Sequence, residues 1–150
     1  MCERSEHTRN FQNEEPAMAQ FEHLPIYKKA YDLTLYFEKI VRNFSRYHKY
    51  TVGSELRQIS REVLQLIRRA NNTPDKTALL LQLRERLEAL KLTIRLCKDL
   101  QAFPNFNSFQ YSINEVVNLS KQNEGWLKSA RKRGRPESSP VGGQEERANR

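Results

Sequence analysis

The sequence predicts an all-α protein, an antiparallel four-helix bundle, and three observations predict it. Between Leu24 and Leu127 the apolar residues recur at three- and four-residue spacing in four separate runs. The runs are parted by short clusters rich in Pro, Asn, Thr and Gly. No stretch alternates apolar and polar residues as a half-buried strand would, and no Gly-rich hairpin signal interrupts the middle. Amphipathic helices of about 20 residues with short connections bury their stripes most simply against one another.

The first run opens at Pro25, where the missing N–H has no helical partner to lose. Tyr27, Ala30, Tyr31, Thr34, Phe37, Val41 and Phe44 carry its stripe towards Tyr47. The segment RYHKYTVG breaks the pattern. A second stripe follows at Val52, Leu56, Ile59, Val63, Leu66, Ile67 and Ala70, with Thr51 or Ser54 as a cap. Asn71-Asn72-Thr73-Pro74-Asp75 stops it. The third stripe is the cleanest: Leu80, Leu83, Leu87, Leu90, Ile94 and Cys97, with Asp75 as its cap. After a break from Gln101 to Asn107, a fourth helix runs from Ser108 to about Ala130. Its expected core is Phe109, Ile113, Val116, Val117 and Leu127, interrupted by Ser120, Asn123 and Gly125.

The chain of 150 residues suits one domain of ordinary size. The reading is a disordered N-terminal extension at 1–20, the bundle at 21–130 and a disordered basic tail at 131–150. Met18 is an alternative start. The net charge of +8 is unevenly spread: −2 on the first twenty residues, +3 on the last twenty and +7 between them. A basic body is drawn to polyanions, so the tail is not the whole electrostatic story.

Cys2 and Cys97 make no disulfide framework, which fits a reducing compartment. The polar, acidic opening has no apolar signal region, and no run approaches the ~18 apolar residues of a membrane span. The expected setting is cytoplasmic, without membrane contact.

Catalytic groupings are absent from the sequence. His7, His23 and His48 are scattered, and neither an HExxH, a CxxC pair nor a Gly-rich phosphate loop occurs. Glu85 and Glu88 each have basic neighbours and read as exposed, paired charges. A di-metal bundle site needs inward carboxylates and a Glu-x-x-His motif, and neither is present. The expectation is a non-enzyme with no metal and no cofactor.

The cations are more telling. At about 100° per residue, Arg84, Lys91, Arg95 and Lys98 fall on one stripe of the third helix. Arg57, Arg61 and Arg68 form a row on the second, with Arg69 beside it. Lys28, Lys39, Arg42 and Arg46 do the same on the first. Bundle surfaces are normally charged with mixed signs, and acidic residues enter these rows only at Asp32 and Glu88. Rows of this kind grip phosphates without reading bases. Tyr47 and Tyr50, beside His48 and Lys49, are candidates to stack on unpaired bases, whereas Tyr27 and Tyr31 lie on the apolar stripe and read as packing.

The stretch PIYKKAYDLTLYFEKIVRNFSRYHKYTVGSELRQISREVLQLIRRANN, with the later LRERLEALKLTIRLCKDL and GWLKS, resembles the accessory variability determinant family of diversity-generating retroelements. The likeness covers about residues 21–130. It rests on a Tyr-x-x-Ala-Tyr-Asp-Leu opening, a Lys-Tyr-Thr-x-Gly-x-x-Leu-Arg entry to the second helix, and a late Gly-Trp-Leu. The resemblance implies a four-helix protomer assembling as a barrel-shaped homopentamer. It also implies a prokaryotic or phage-encoded, non-catalytic protein. Such a protein binds RNA or DNA and the retroelement's reverse transcriptase in support of mutagenic complementary-DNA synthesis.

Proteins encoded by intervening sequences in bacterial large-subunit ribosomal RNA are similar in fold. Their first-helix Trp and their Ser-Ile-Pro-x-Asn-Ile-Ala-Glu-Gly run are missing here, which favours the retroelement family. An oligomeric scaffold of that second kind remains the alternative. The tail offers another: Lys132-Arg133-Gly134-Arg135-Pro136 resembles an AT-hook, in which two Arg flank a Gly small enough for a narrow minor groove. A cationic arm adding phosphate contacts accounts for the same residues.

Overall fold

The computed structural model describes residues 23–134. Five helices account for almost all of them: α1 (Pro25–Val41), α2 (Arg46–Tyr50), α3 (Val52–Asn71), α4 (Thr77–Asp99) and α5 (Phe106–Gly134). The four long helices pack in a closed cycle, α1 on α3, α3 on α4, α4 on α5, and α5 back on α1. Each neighbour runs antiparallel. Thr34 lies by Ser60 while Glu38 lies by Arg57 across the α1/α3 seam, and Asn123 meets Leu80 while Phe109 meets Lys98 across α4/α5.

The core is the predicted one along α4. Leu80, Leu83, Leu87, Leu90, Ile94 and Cys97 are all sealed from solvent, and each fully buried aliphatic side chain contributes about 1.5–3 kcal/mol. Burial pushes the Cys97 thiol up to about 12, with Glu55 adding to it, so this cysteine is apolar filling rather than a reactive group.

Other elements depart from the expected pattern. The first helix stops at Val41 instead of running towards Tyr47. The chain turns there through Asn43 and Phe44, and the Ser45 hydroxyl accepts from the His48 N–H at 3.4 Å to start the short α2 inside the expected break. Tyr31 is exposed, while Ile26, Leu33 and Ile40 fill the core in its place. Thr51 does not cap α3, because its hydroxyl donates back to the Tyr47 carbonyl at 2.8 Å.

The α5 helix begins two residues early because Asn105 Oδ1 accepts from the Ser108 N–H at 2.8 Å, a side-chain cap. Its inward face is Ser108, Ser112, Val116, Leu119, Asn123 and Leu127. Phe109, Ile113 and Val117 sit one position round, half-buried. Small serines let α5 approach its neighbours closely, so its large residues flank the seam instead of filling it. Asn123 does not interrupt the core but belongs to it, donating to the Leu80 carbonyl at 3.1 Å.

The connections explain themselves chemically. Lys76 Nζ donates to the carbonyls of Ala70 and Thr73 at 2.9 and 2.8 Å, satisfying the C-terminus of α3. Asp75 accepts from the Thr77 N–H at 3.4 Å, close to its expected capping role. The end of α4 is a Schellman turn. Gln101 takes φ 59°, its N–H reaches the Lys98 carbonyl, and the Ala102 N–H reaches that of Cys97 at 2.8 Å.

Gly53 is the tightest point. A Cβ there would stand 2.7 Å from Val41 Cγ1 and 2.9 Å from the His48 carbonyl, so α1, α2 and α3 converge only over a bare Cα. Gly125 faces open space. Gly53→Ala is therefore expected to cost about 1–3 kcal/mol through overpacking. Gly125→Ala is expected to stabilise by about 1 kcal/mol through helix propensity. Thermal melts followed by circular dichroism read both signs. Equal effects at the two positions would contradict the packing described here.

Candidate nucleic-acid interface

Residues 23–134 carry 21 basic and 10 acidic side chains, a charge of +11. The three predicted rows fall on the outside of the bundle, but they do not merge into one surface. The α3 row opens into a broad groove between α3 and α4 of about 1020 Å³. Arg57, Arg61 and Arg69 line it together with Arg86 from α4 and with Glu62 and Glu85. Arg68 lies outside the groove and donates to Gln65 at 3.2 Å. The α4 row faces the other way. Lys91, Arg95 and Lys98 line a second groove of about 420 Å³ between α4 and α5, with Leu92, Phe109 and Ile113. Lys28, Lys39, Arg42 and Arg46 remain exposed on α1 and α2 and join neither groove.

The sequence-based expectation of nearly acid-free rows is corrected by the neighbouring helices. Glu38 of α1 pairs with Arg61 and, at 4.0 Å, with Arg57. Glu124 of α5 takes Arg84 in a two-pronged bond at 2.7 and 2.8 Å. Glu62 pairs with Arg86 at 3.2 Å and Glu88 with Lys91 at 2.8 Å. Glu88 is already visible in its own row, but Glu38, Glu62 and Glu124 become neighbours of these cations only across a seam. No ion pair among the described residues engages Lys28, Lys39, Arg42, Arg46, Arg68, Arg69, Arg95 or Lys98. They are the members of the three rows that no carboxylate compensates, and Lys49, Lys121, Lys128 and Arg131 to Arg133 stand outside ion pairs as well.

Two contributors escaped the sequence reading. Arg86 sits on the α3 side of α4, away from the Arg84 row, and only the α3/α4 packing reveals it. Phe109 was assigned to the core, yet it lies half-buried at the groove, with the Lys98 ammonium 4.9 Å above its ring. Tyr47 and Tyr50 are exposed, as a stacking role requires.

The tail departs from expectation where it can be seen. Arg131, Lys132, Arg133 and Gly134 continue α5 instead of leaving it. Arg133 joins Lys76, Pro74 and Trp126 around a hollow at that end of the bundle. Lys132 and Arg133 are thus helical, and the rest of the AT-hook-like core lies beyond Gly134. Arg135, the extension at 1–20 and the rest of the tail lie outside the described residues.

Among the described residues there is no group of three His, Cys, Asp or Glu arranged to hold a metal, and no helix is long and apolar enough to cross a membrane. Fold and surface together define a class: a helical bundle whose outer grooves are lined by cations. The family can be stated as well. The chain matches the family model described as bAvd-like over residues 24–130, and it belongs to that family. No curated protein and no solved structure matches it.

The Arg84–Glu124 bond gives a pH test. Hydrogen bonding to Arg84 holds the Glu124 carboxyl below its ordinary value of 4.5. A lowered native value means the pair's stabilisation is complete above pH 4.5 and is lost as pH falls through the native value. Wild type is expected to melt slightly higher than Glu124→Gln at pH 7, with the gap closing towards pH 2. A gap constant with pH would show that the bond contributes nothing through ionisation.

Proposed function

We propose that the protein is a non-catalytic accessory factor of a diversity-generating retroelement. It binds template RNA or complementary DNA, together with the partner reverse transcriptase, and so supports mutagenic complementary-DNA synthesis. Membership of the bAvd-like family carries this reading. The eight row cations without a carboxylate partner are consistent with it, since such charges grip a phosphate backbone through counterion release.

Assembly as a barrel-shaped homopentamer belongs to the same proposal. Leu92, Leu96 and Leu100 follow one another at four-residue spacing on the outer face of α4, exposed at 62, 42 and 48 %. Repetition around a ring would also multiply the basic grooves on one particle.

The test is fluorescence-anisotropy titration of a structured RNA across a salt series, with the full chain and with one ending at Gly134. About six phosphates neutralised would give a log–log salt slope near −4 to −5. The shortened chain is expected to keep most of the affinity and slope, and light scattering is expected to give the mass of five chains. Binding that vanishes with residues 135–150 would assign recognition to the tail and overturn the reading of the bundle surface.

A further inference from the structure

The end of the bundle where α4 passes the chain to α5 has a composition that the rest of the surface lacks. The three most exposed aromatic side chains among the described residues gather there: Tyr47 at 73 % and Tyr50 at 68 % on α2, and Phe106 at 61 % on the first turn of α5. The fold places all three at one end. The C-terminus of α1 carries α2, and Phe44 beside it packs edge-on to Phe103 at 5.7 Å. Phe103 leads to Phe109 at 6.3 Å, and Phe109 to Phe106 at 5.7 Å. A ring this exposed gains little transfer free energy from the core. Its flat face is available to another flat surface.

Cations adjoin it. The α4/α5 groove starts at Phe109 and continues past Lys98, Arg95 and Lys91. Glu88 neutralises Lys91, while Lys98 sits over the Phe109 ring and Arg95 is exposed without a carboxylate partner. The α3/α4 groove provides the contrast. Its arginines are interleaved with Glu62, Glu85 and three glutamines, and no aromatic side chain lines it. A surface like that attracts phosphates but offers no platform for a base.

Aromatic platform and cationic track together fit a strand whose bases are unpaired, because a duplex hides its base faces inside the stack. We infer that this end of the bundle binds single-stranded nucleic acid, with an unpaired base stacked on Phe106 and the adjoining phosphates held by Arg95 and Lys98. The inference rests on the reading that the bundle binds nucleic acid. It adds the place and the strand state. It sets no base preference, since every base has a π-face.

The test uses the full chain, with a 20-nucleotide oligouridylate and a 20-base-pair RNA duplex as probes. Phe106→Ala is expected to weaken the single strand about tenfold, leaving the duplex and the salt slope unchanged. Phe106→Trp is expected to retain binding, with its new fluorescence quenched by the single strand and not by the duplex. Arg95→Ala is expected to weaken the single strand and to flatten its salt slope by about 0.7, the value of one phosphate contact.

If Phe106→Ala alters neither probe, or both equally, the stacking site is wrong while nucleic-acid binding stands. If wild type binds neither probe, the underlying reading fails and the inference with it. If Phe106→Ala changes the particle mass in sedimentation, the ring is covered by a second copy, and the inference is overturned on that ground. The Phe106→Trp signal keeps the question decidable should the alanine variant fold poorly.

Discussion

The seam of α4 governs the rest of the structure. Its six sealed residues, Leu80 to Cys97, are spaced so that one face of a 23-residue helix must lie inward along its whole length. Once that face is fixed, the α3 side and the α5 side of α4 are fixed too. Arg86 must then open towards α3, and Lys91, Arg95 and Lys98 towards α5. A hydrophobic constraint thus sorts the cations into two grooves that no electrostatic force would have separated.

Among the described ion pairs, charge is compensated mainly across seams, with Glu88–Lys91 the one pair within a helix. Glu38, Glu62 and Glu124 each reach a guanidinium on a neighbouring helix. Exposed pairs of this kind add little stability, commonly below about 1 kcal/mol. Their larger effect is on the field: they quench the arginines near the helix junctions and leave uncompensated cations on α1 and α2, at the C-terminus of α3, along the α4/α5 groove and on the last turns of α5. The net charge of a row read along one helix therefore overstates some positions and understates others.

The corner at Gly53 shows how local backbone chemistry sets a long-range arrangement. The bare Cα lets Val41 and the His48 carbonyl come close. Because α2 directly follows α1, whose C-terminus lies where α5 begins, Tyr47 and Tyr50 share an end with Phe106. The Lys-Tyr-Thr-x-Gly pattern can be read as the means of making that corner.

Much of this was legible in the chain itself. The α4 stripe, the all-helical class and the four long helices follow from spacing and residue type, because a 3.6-residue period writes an inward face directly into the sequence. The residues of α5 were harder. Ser108, Ser112 and Asn123 are polar, and only close packing and the Leu80 carbonyl make them interior. The short α2 starts on a single Ser45 hydroxyl bond that composition does not announce. Pairings such as Arg84 with Glu124, forty residues apart, and the placing of α2 at the same end as the start of α5 belong to tertiary structure alone. Sequence periodicity says which face of a helix turns inward, but only packing decides which neighbour lies beside the face left outside.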